Sequence, residues 1–323
     1  MTKTKVHSLF TDFDISLFKA GKHYRLYEKF GSHIITVDGE EGTYFAVWAP
    51  TAKMVSVIGD FNFWLEGEHQ LNVRWDGSGI WEGFIPGVGK GNIYKYKIHS
   101  SNNDIRTEKA DPFARRCEHP PKTASVVWKD SYDWKDAKWM KNRKKNNALD
   151  APFSVYEVHL GSWKKQVAQN RFLSYVELAD ELVNYVAEMN FTHVEFMPIM
   201  EYPYDPSWGY QLVGYFAPTA RFGYPEEFKY LVDKFHEKGI GVLLDWVPSH
   251  FPSDDHGLGF FDGSHLYEHP DQRKGYHQDW KSLIFNYGRN EIKAFLISNA
   301  IFLLDQFHAD GLRVDAVASM IYL

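Results

Sequence analysis

The rhythm of apolar and polar positions changes near residue 150. From residue 43 to residue 127, β-branched and aromatic runs are short and regularly interrupted. They are Thr43–Ala49, Lys53–Gly59, Ile80–Ile85, Ile93–His99 and Lys122–Trp128, separated by Asp-Phe-Asn, Asp-Gly-Ser-Gly, Pro-Gly and Gly-Lys-Gly turns. This spacing predicts a β-sandwich over residues 1–128. Residues 129–151 are rich in Lys, Asp and Asn and read as a linker, in which Lys141-Asn-Arg-Lys-Lys145 is expected to form a solvated turn.

Beyond the linker, strands alternate with helices. Val155–Leu160, Thr192–Met197, Ile240–Val247 and Leu312–Ala316 are short apolar strands. Ser174 and Glu177 form a capping-box pattern ahead of a stripe of Leu178, Leu182, Tyr185, Val186 and Met189. Pro225 opens a second helix with Phe228, Leu231, Val232 and Phe235 inward and Gly239 at its end. Asn290 can cap a third, carrying Ile292, Phe295, Leu296 and Leu303. Strands apolar on both faces, alternating with amphipathic helices, predict a parallel sheet. The expected fold class is therefore multidomain β plus α/β: a sandwich, then about four β/α units of a (β/α)8 TIM barrel over residues 152–323. A complete barrel usually needs about 250 residues. The long segments Ile199–Phe222 and Pro248–Arg289 both follow strand ends, the active-site face of such a barrel.

Composition narrows the function classes. The net charge is −6 and no basic cluster is dense enough to follow a phosphate backbone, so nucleic acid is not an expected partner. No run of about 18 apolar residues occurs, and the first residues hold no apolar signal core, so no membrane span or export signal is expected. A single cysteine, Cys117, excludes an intramolecular disulfide and fits a reducing, cytoplasmic location. Aromatic residues reach 17%, with eleven Trp. Their faces fill cores and also stack on sugars; for Trp64 and Trp81, core packing is the preferred expectation.

Polar groups stand at three strand ends. Asp245 closes an apolar strand with His250 five residues on; Arg313 and Asp315 end the fourth strand; Trp208-Gly-Tyr210-Gln lies in the loop after the second. Residues two apart share one face of a strand, and a guanidinium keeps a neighbouring carboxylate ionised, as a nucleophile requires. Pairing of the third and fourth strands would bring Asp245 to Arg313. A strand-terminal Asp can equally cap its loop, and Arg313–Asp315 can be a structural ion pair, but neither accounts for the His and the Trp–Tyr loop beside them. His256, His265, His269 and His277 fit no zinc spacing and read as solvated or structural.

Asp245-Trp-Val-Pro-Ser-His250 and Gly311-Leu-Arg-Val-Asp-Ala-Val317 resemble the first two signatures of glycoside hydrolase family 13. Tyr156-Glu-Val-His-Leu-Gly-Ser-Trp163, Trp208–Gln211 and Phe285-Asn-Tyr-Gly-Arg289 resemble, more narrowly, its glucan-branching members. Gly59-Asp-Phe-Asn-Phe-Trp64 with Trp81–Pro86 is similar to carbohydrate-binding module family 48. The resemblance implies Asp315 as catalytic nucleophile and Arg313 as the residue that orients it. It implies Asp245 and His250 as sugar-holding groups and Tyr210 as the aromatic beneath the reacting glucose. The implied reaction opens an α-1,4 link by a retaining covalent route and re-forms it as an α-1,6 branch on a glycogen-like α-glucan, without cofactor or metal. Ser249, where family amylases usually carry a calcium-liganding Asn, argues against a calcium-dependent amylase. A debranching or trehalose-forming hydrolase, and a non-enzymatic glucan binder using residues 20–125, are the alternatives. The family's acid/base Glu follows the fifth strand and a further Asp with its His follows the seventh, so the resemblance implies an N-terminal half, inactive alone and open along two sheet edges.

Overall fold

The computed structural model describes residues 3–102 and 104–322. Its N-terminal part is two facing sheets. Gly31–Val37, Glu40–Trp48, Ile80–Pro86 and Asn72–Val73 pair in that order. Opposite them, Ile93–Ser100 pairs with Ala52–Gly59, Arg106–Lys109 and Ser125–Val126, and Arg116–Cys117 closes the edge. Alternate residues of both sheets meet in the core: Phe45, Val47, Val55, Val57, Tyr94, Tyr96 and Ile98 are fully buried. The Phe45 and Tyr94 rings meet edge-on at 4.9 Å. The strand expected over Lys122–Trp128 shortens to Ser125–Val126.

Trp81 is a core residue, its indole N–H donating to the Ala49 carbonyl. Trp64 is not: it is 40% exposed, with Phe63 beside it at 85%. The tight turn after Gly59 puts both in the left-handed region (φ 53° and 61°) and turns them away from the core.

The polar stretch 129–151 is not an unstructured linker throughout. Ala137–Asn146 is a helix that buries Trp139 against the His236 ring. The basic run expected as a solvated turn lies in it, and Arg143 donates to the Ala309 carbonyl. The helix has a polar surface on nearly every side, so its apolar period was not visible; one Trp anchors it.

Next comes a four-stranded parallel sheet in the order Val155–Val158, His193–Phe196, Gly241–Trp246, Gly311–Val314. Val194, Phe196, Val242 and Leu244 point at the helices Tyr175–Glu188 and Pro225–Glu237 and are almost fully buried. Of the expected helical stripe, Leu178, Leu182 and Val186 are buried, whereas Tyr185 and Met189 are largely exposed. The other sheet face is more open: Glu157 is exposed and Glu195 and Leu243 are half-buried. Among the described residues, Val155–Val158 and Gly311–Val314 each pair on one side only.

The long helix Asn290–Gln306 carries its buried stripe as expected, but Arg289 occupies the N-cap position. Asn290 instead donates to the Lys19 carbonyl, tying down the N-terminal helix Asp12–Lys19. The loops after the second and third strands contain structure of their own. Met200–Glu201 pairs with Gly214–Pro218, and His250–Phe251, Ser282–Ile284 and Tyr276–His277 form a small sheet.

Candidate active site

Strand register builds the site. Asp245 and Arg313 are direct partners on adjacent parallel strands, both at the C-terminal end. Asp315 lies just past its strand, which ends at Val314, so the pair is not held by strand alternation as expected. It still meets: Asp315 is fixed by a backbone bond from its N–H to the Trp246 carbonyl (2.9 Å), and Arg313 Nη1 donates to Asp315 Oδ1 at 2.8 Å.

The same Nη1 lies 3.1 Å from Asp245 Oδ2, so one guanidinium bridges two carboxylates. Tyr210 donates its hydroxyl to Asp245 Oδ2 at 2.7 Å. His250 Nε2 stands 3.7 Å from Asp315 Oδ2, beyond hydrogen-bond range but close enough for electrostatic attraction. The five residues singled out from the sequence, Tyr210, Asp245, His250, Arg313 and Asp315, thus form one cluster.

Environment gives the carboxyls different characters. Burial pushes Asp245 up to about 7; the Tyr210 hydrogen bond and Arg313 oppose this, while nearby Glu195 adds a like charge. Burial would raise Asp315 too, but His250 and Arg313 outweigh it and hold the group below the usual carboxylate range. Asp315 is therefore the ionised carboxylate near neutral pH, 17% exposed and reachable from the mouth. Asp245 Oδ1 and His250 Nδ1 are buried without a protein hydrogen-bond partner. Hydroxyl-rich ligands supply the donors and acceptors such atoms require.

Tyr287, from the Phe285–Arg289 motif, donates to the carbonyls of Pro248 and Ser249, and Tyr215 donates to that of His250. These bonds shape the turn between Asp245 and His250. On the other side Arg221 is buried between Glu201 and Asp205 and also grips the Tyr202 carbonyl, anchoring the loop that carries Tyr210. Gly209 (φ 90°) leaves no room for a side chain: a Cβ there would stand 2.3 Å from the Pro198 carbonyl oxygen.

Two imidazoles escaped the sequence reading. His159 follows the first barrel strand, its ring 6.3 Å from Trp208. His277, expected to be solvated or structural, lies 6.0 Å from His250 and 4.6 Å from Trp280. Spacing along the chain held no sign of either, because the small sheet in the third loop is what folds His277 back onto His250. Of the other loop histidines, His265 pairs with Glu268, His269 accepts from the Asp271 N–H, and His256 lies half-buried at the junction with the sandwich.

Residues 29–114 match the family model of carbohydrate-binding module 48 (isoamylase N-terminal domain), and residues 178–283 match that of the alpha amylase catalytic domain. The chain is 58% identical over 320 residues to a 1,4-alpha-glucan branching enzyme of Aquifex aeolicus, covering 99% of this chain and 50% of the relative. It is 56% identical over 314 residues to the namesake from Rubrobacter xylanophilus, covering 97% and 43%. The chain thus spans about half the length of these curated relatives, or slightly less. A crystal structure of a putative alpha amylase from Salmonella typhimurium shares the fold, with TM-score 0.69 at 23% identity over 90% of this chain and 44% of that one.

Proposed function

We propose that this chain, which joins a carbohydrate-binding module 48 to an alpha amylase catalytic-domain segment, supplies the donor side of a glucan-branching site. The observation that carries this reading is the bridging of Asp245 and Asp315 by Arg313 beside Tyr210 and His250. Asp245, His250, Arg313 and Asp315 stand in the runs that resemble the first two signatures of glycoside hydrolase family 13, and Tyr210 in one that resembles its glucan-branching members.

In this reading Tyr210 lies beneath the reacting glucose, and Asp245 Oδ1 accepts a hydrogen bond from one of its hydroxyls. Asp315 attacks the anomeric carbon from the face opposite the leaving oxygen. The α-1,4 C–O bond breaks, the leaving 4-oxygen takes a proton from a general acid, and a β-linked glycosyl ester forms on Asp315. Arg313 keeps the attacking carboxylate ionised and in place. A glucan 6-hydroxyl then displaces Asp315, giving its proton to the same group and restoring the α configuration as an α-1,6 branch.

The second carboxyl that Arg313 holds is Asp245, whose Oδ2 is already taken by Tyr210 and Arg313. No acid/base role is assigned to it. General acid–base assistance is typically worth about 10²–10⁴-fold, so the 323-residue chain alone is expected to show no measurable turnover of glucan. Cytoplasmic residence belongs to the same proposal, supported by a single, buried cysteine. No described helix is long and apolar enough to cross a membrane.

The test is a chimera in which residues 1–323 replace the matching half of the Aquifex aeolicus relative. Added to amylose, it should lower iodine absorbance without releasing reducing ends. Release of reducing ends would instead support a hydrolase of the same fold, and no change in either would refute the reading.

A further inference from the structure

Asp315 stands past the last residue of its strand, and Ala316 after it is held with φ 53°, so the strand ladder does not fix where its carboxylate points. Two groups outside its own strand hold it instead. The Trp246 carbonyl accepts its N–H at 2.9 Å, and His250 Nε2 faces its Oδ2 at 3.7 Å. Trp246 belongs to the third barrel strand and His250 to the loop after it. Both trace back to one side chain on the long helix Asn290–Gln306.

Asn299 lies in the middle of that helix and is 1% exposed. Asparagine is a poor helix former, and a buried amide needs partners at both ends. Its Oδ1 accepts from the Trp246 indole N–H at 2.9 Å, and its Nδ2 donates to the Tyr215 carbonyl. The indole can only donate and the carbonyl can only accept, so the amide has one orientation and uses both its ends. Tyr215 in turn donates its hydroxyl to the His250 carbonyl at 3.2 Å. The contacts close a circuit that runs from Asp315 through Trp246, Asn299, Tyr215 and His250 back to Asp315. Its base is fixed. Phe295, one turn before Asn299, packs its ring 5.5 Å from that of Tyr215. The helix is clamped to the N-terminal segment: Ser298 accepts from the Leu26 N–H and donates to the His23 carbonyl, and Asp305 accepts from Arg25 and Tyr27.

We infer that Asn299 is a positioning residue for the nucleophile, fixing the Trp246 arm that holds Asp315 against the Tyr215 arm that holds His250. This rests on the reading of Asp315 given above and deepens it. Asn299 acts through its two partners and is not itself a catalytic residue. The charged and titratable groups that face Asp315 are Arg313 on its own strand, His250 from the third loop, the Tyr210 hydroxyl and, across Arg313, Asp245. His250 and Arg313 together outweigh burial and keep the Asp315 carboxyl low, so separation from His250 would return it toward the ordinary range. A displacement on the order of 1 Å can cost about 10²-fold in rate.

The experiment follows labelling of the 323-residue chain by a 5-fluoro-α-glucosyl fluoride, in the parent, Asn299→Leu and Tyr215→Phe. Asp315 attacks the anomeric carbon, the C–F bond breaks, fluoride leaves and a glycosyl ester forms. Intact-mass time courses at several concentrations give the maximal rate and the half-saturating concentration. Asn299→Leu should lower the maximal rate about 10²-fold. Tyr215→Phe, which breaks one arm only, should lower it about tenfold. The half-saturating concentration should stay within about twofold of the parent in both, and the acid limb of the rate should move up by about one pH unit. Tyr215→Phe removes a single hydroxyl and carries the test alone if Asn299→Leu does not melt cooperatively. A maximal rate and acid limb like the parent's in the folded variants overturn the positioning role and leave the nucleophile reading standing. So does a loss of rate with the acid limb unmoved, which lowered stability alone would give. A parent that takes no label overturns both.

Discussion

Asp245 and Asp315 share one guanidinium, yet burial sets them apart by enough to matter for stability. Asp245 is raised to about 7 from an ordinary value near 3.8. Below about pH 4 it is protonated whether the chain is folded or not, and it costs nothing. Between about 4 and 7 the unfolded chain releases its proton while the folded one keeps it, so the cost grows with pH; above 7 it is constant. Asp245→Asn removes this cost while keeping an acceptor for Tyr210. It should raise the melting temperature at pH 7.5, with the gain shrinking to nothing by about pH 4; an equal gain at both pH values would contradict the burial account. Gly209 is the second sensitive position. Gly209→Ala pushes a Cβ into the Pro198 carbonyl at a left-handed position and should displace Tyr210, weakening maltoheptaose binding in the cleft about tenfold or more by calorimetry. The identities of Tyr210, Asp245, His250, Arg313 and Asp315 were legible because strand ends concentrate polar groups and register could be inferred from repeat order. His159, His277 and Trp280 were not, since nothing in their spacing states which loop returns to which strand.

Among the elements, the lower end of the sheet is clamped by a buried polar network. His236 is fully buried, its Nδ1 2.8 Å from Asp136 and its Nε2 3.0 Å from Asp310. Asp136 also meets His308 at 2.7 Å, and Asp310 accepts from the Trp139 indole and the Val242 N–H. The network joins the helix Ala137–Asn146, the helix Pro225–Glu237 and the turn into the strand Gly311–Val314, and so fixes the strand that leads to Arg313. Removing one partner leaves buried charge uncompensated. Asp310→Ala should cost about 3–5 kcal/mol, read as a lowered urea midpoint; a change below about 1 kcal/mol would show that the clamp is incidental. Strands and amphipathic helices were legible here from apolar period. The helix Ala137–Asn146 was not, because its hold depends on Trp139 and this distant aspartate.

At the scale of the molecule, the sandwich meets the barrel segment at the long third loop as well as through Phe113, which stacks on Phe216. The Thr51 N–H donates to Asp262, Thr107 donates to the Phe261 carbonyl, and buried Lys109 donates to the carbonyls of Asp255 and Gly259. Burial lowers the Lys109 pKa to about 8, opposed by Glu268 and Asp255, so this ammonium is held mainly by peptide dipoles. Lys109→Ala should free the loop that carries His277 and Trp280, seen as faster proteolysis between residues 252 and 270; unchanged cleavage would mean the sandwich does not support the site. The two-part architecture was legible in the change of rhythm near residue 150, whereas the interface between the parts depends on contacts more than a hundred residues apart. The role of Asp315 as nucleophile can be tested on the 323-residue chain directly. A 5-fluoro-α-glucosyl fluoride carries a leaving group that needs little proton assistance, so attack by Asp315 requires no general acid. Incubation followed by intact-mass and peptide mass spectrometry should show one added fluoroglucosyl group, located on Asp315 and absent from Asp315→Ala. A label on another residue, or an unlabelled parent chain, would contradict the assignment.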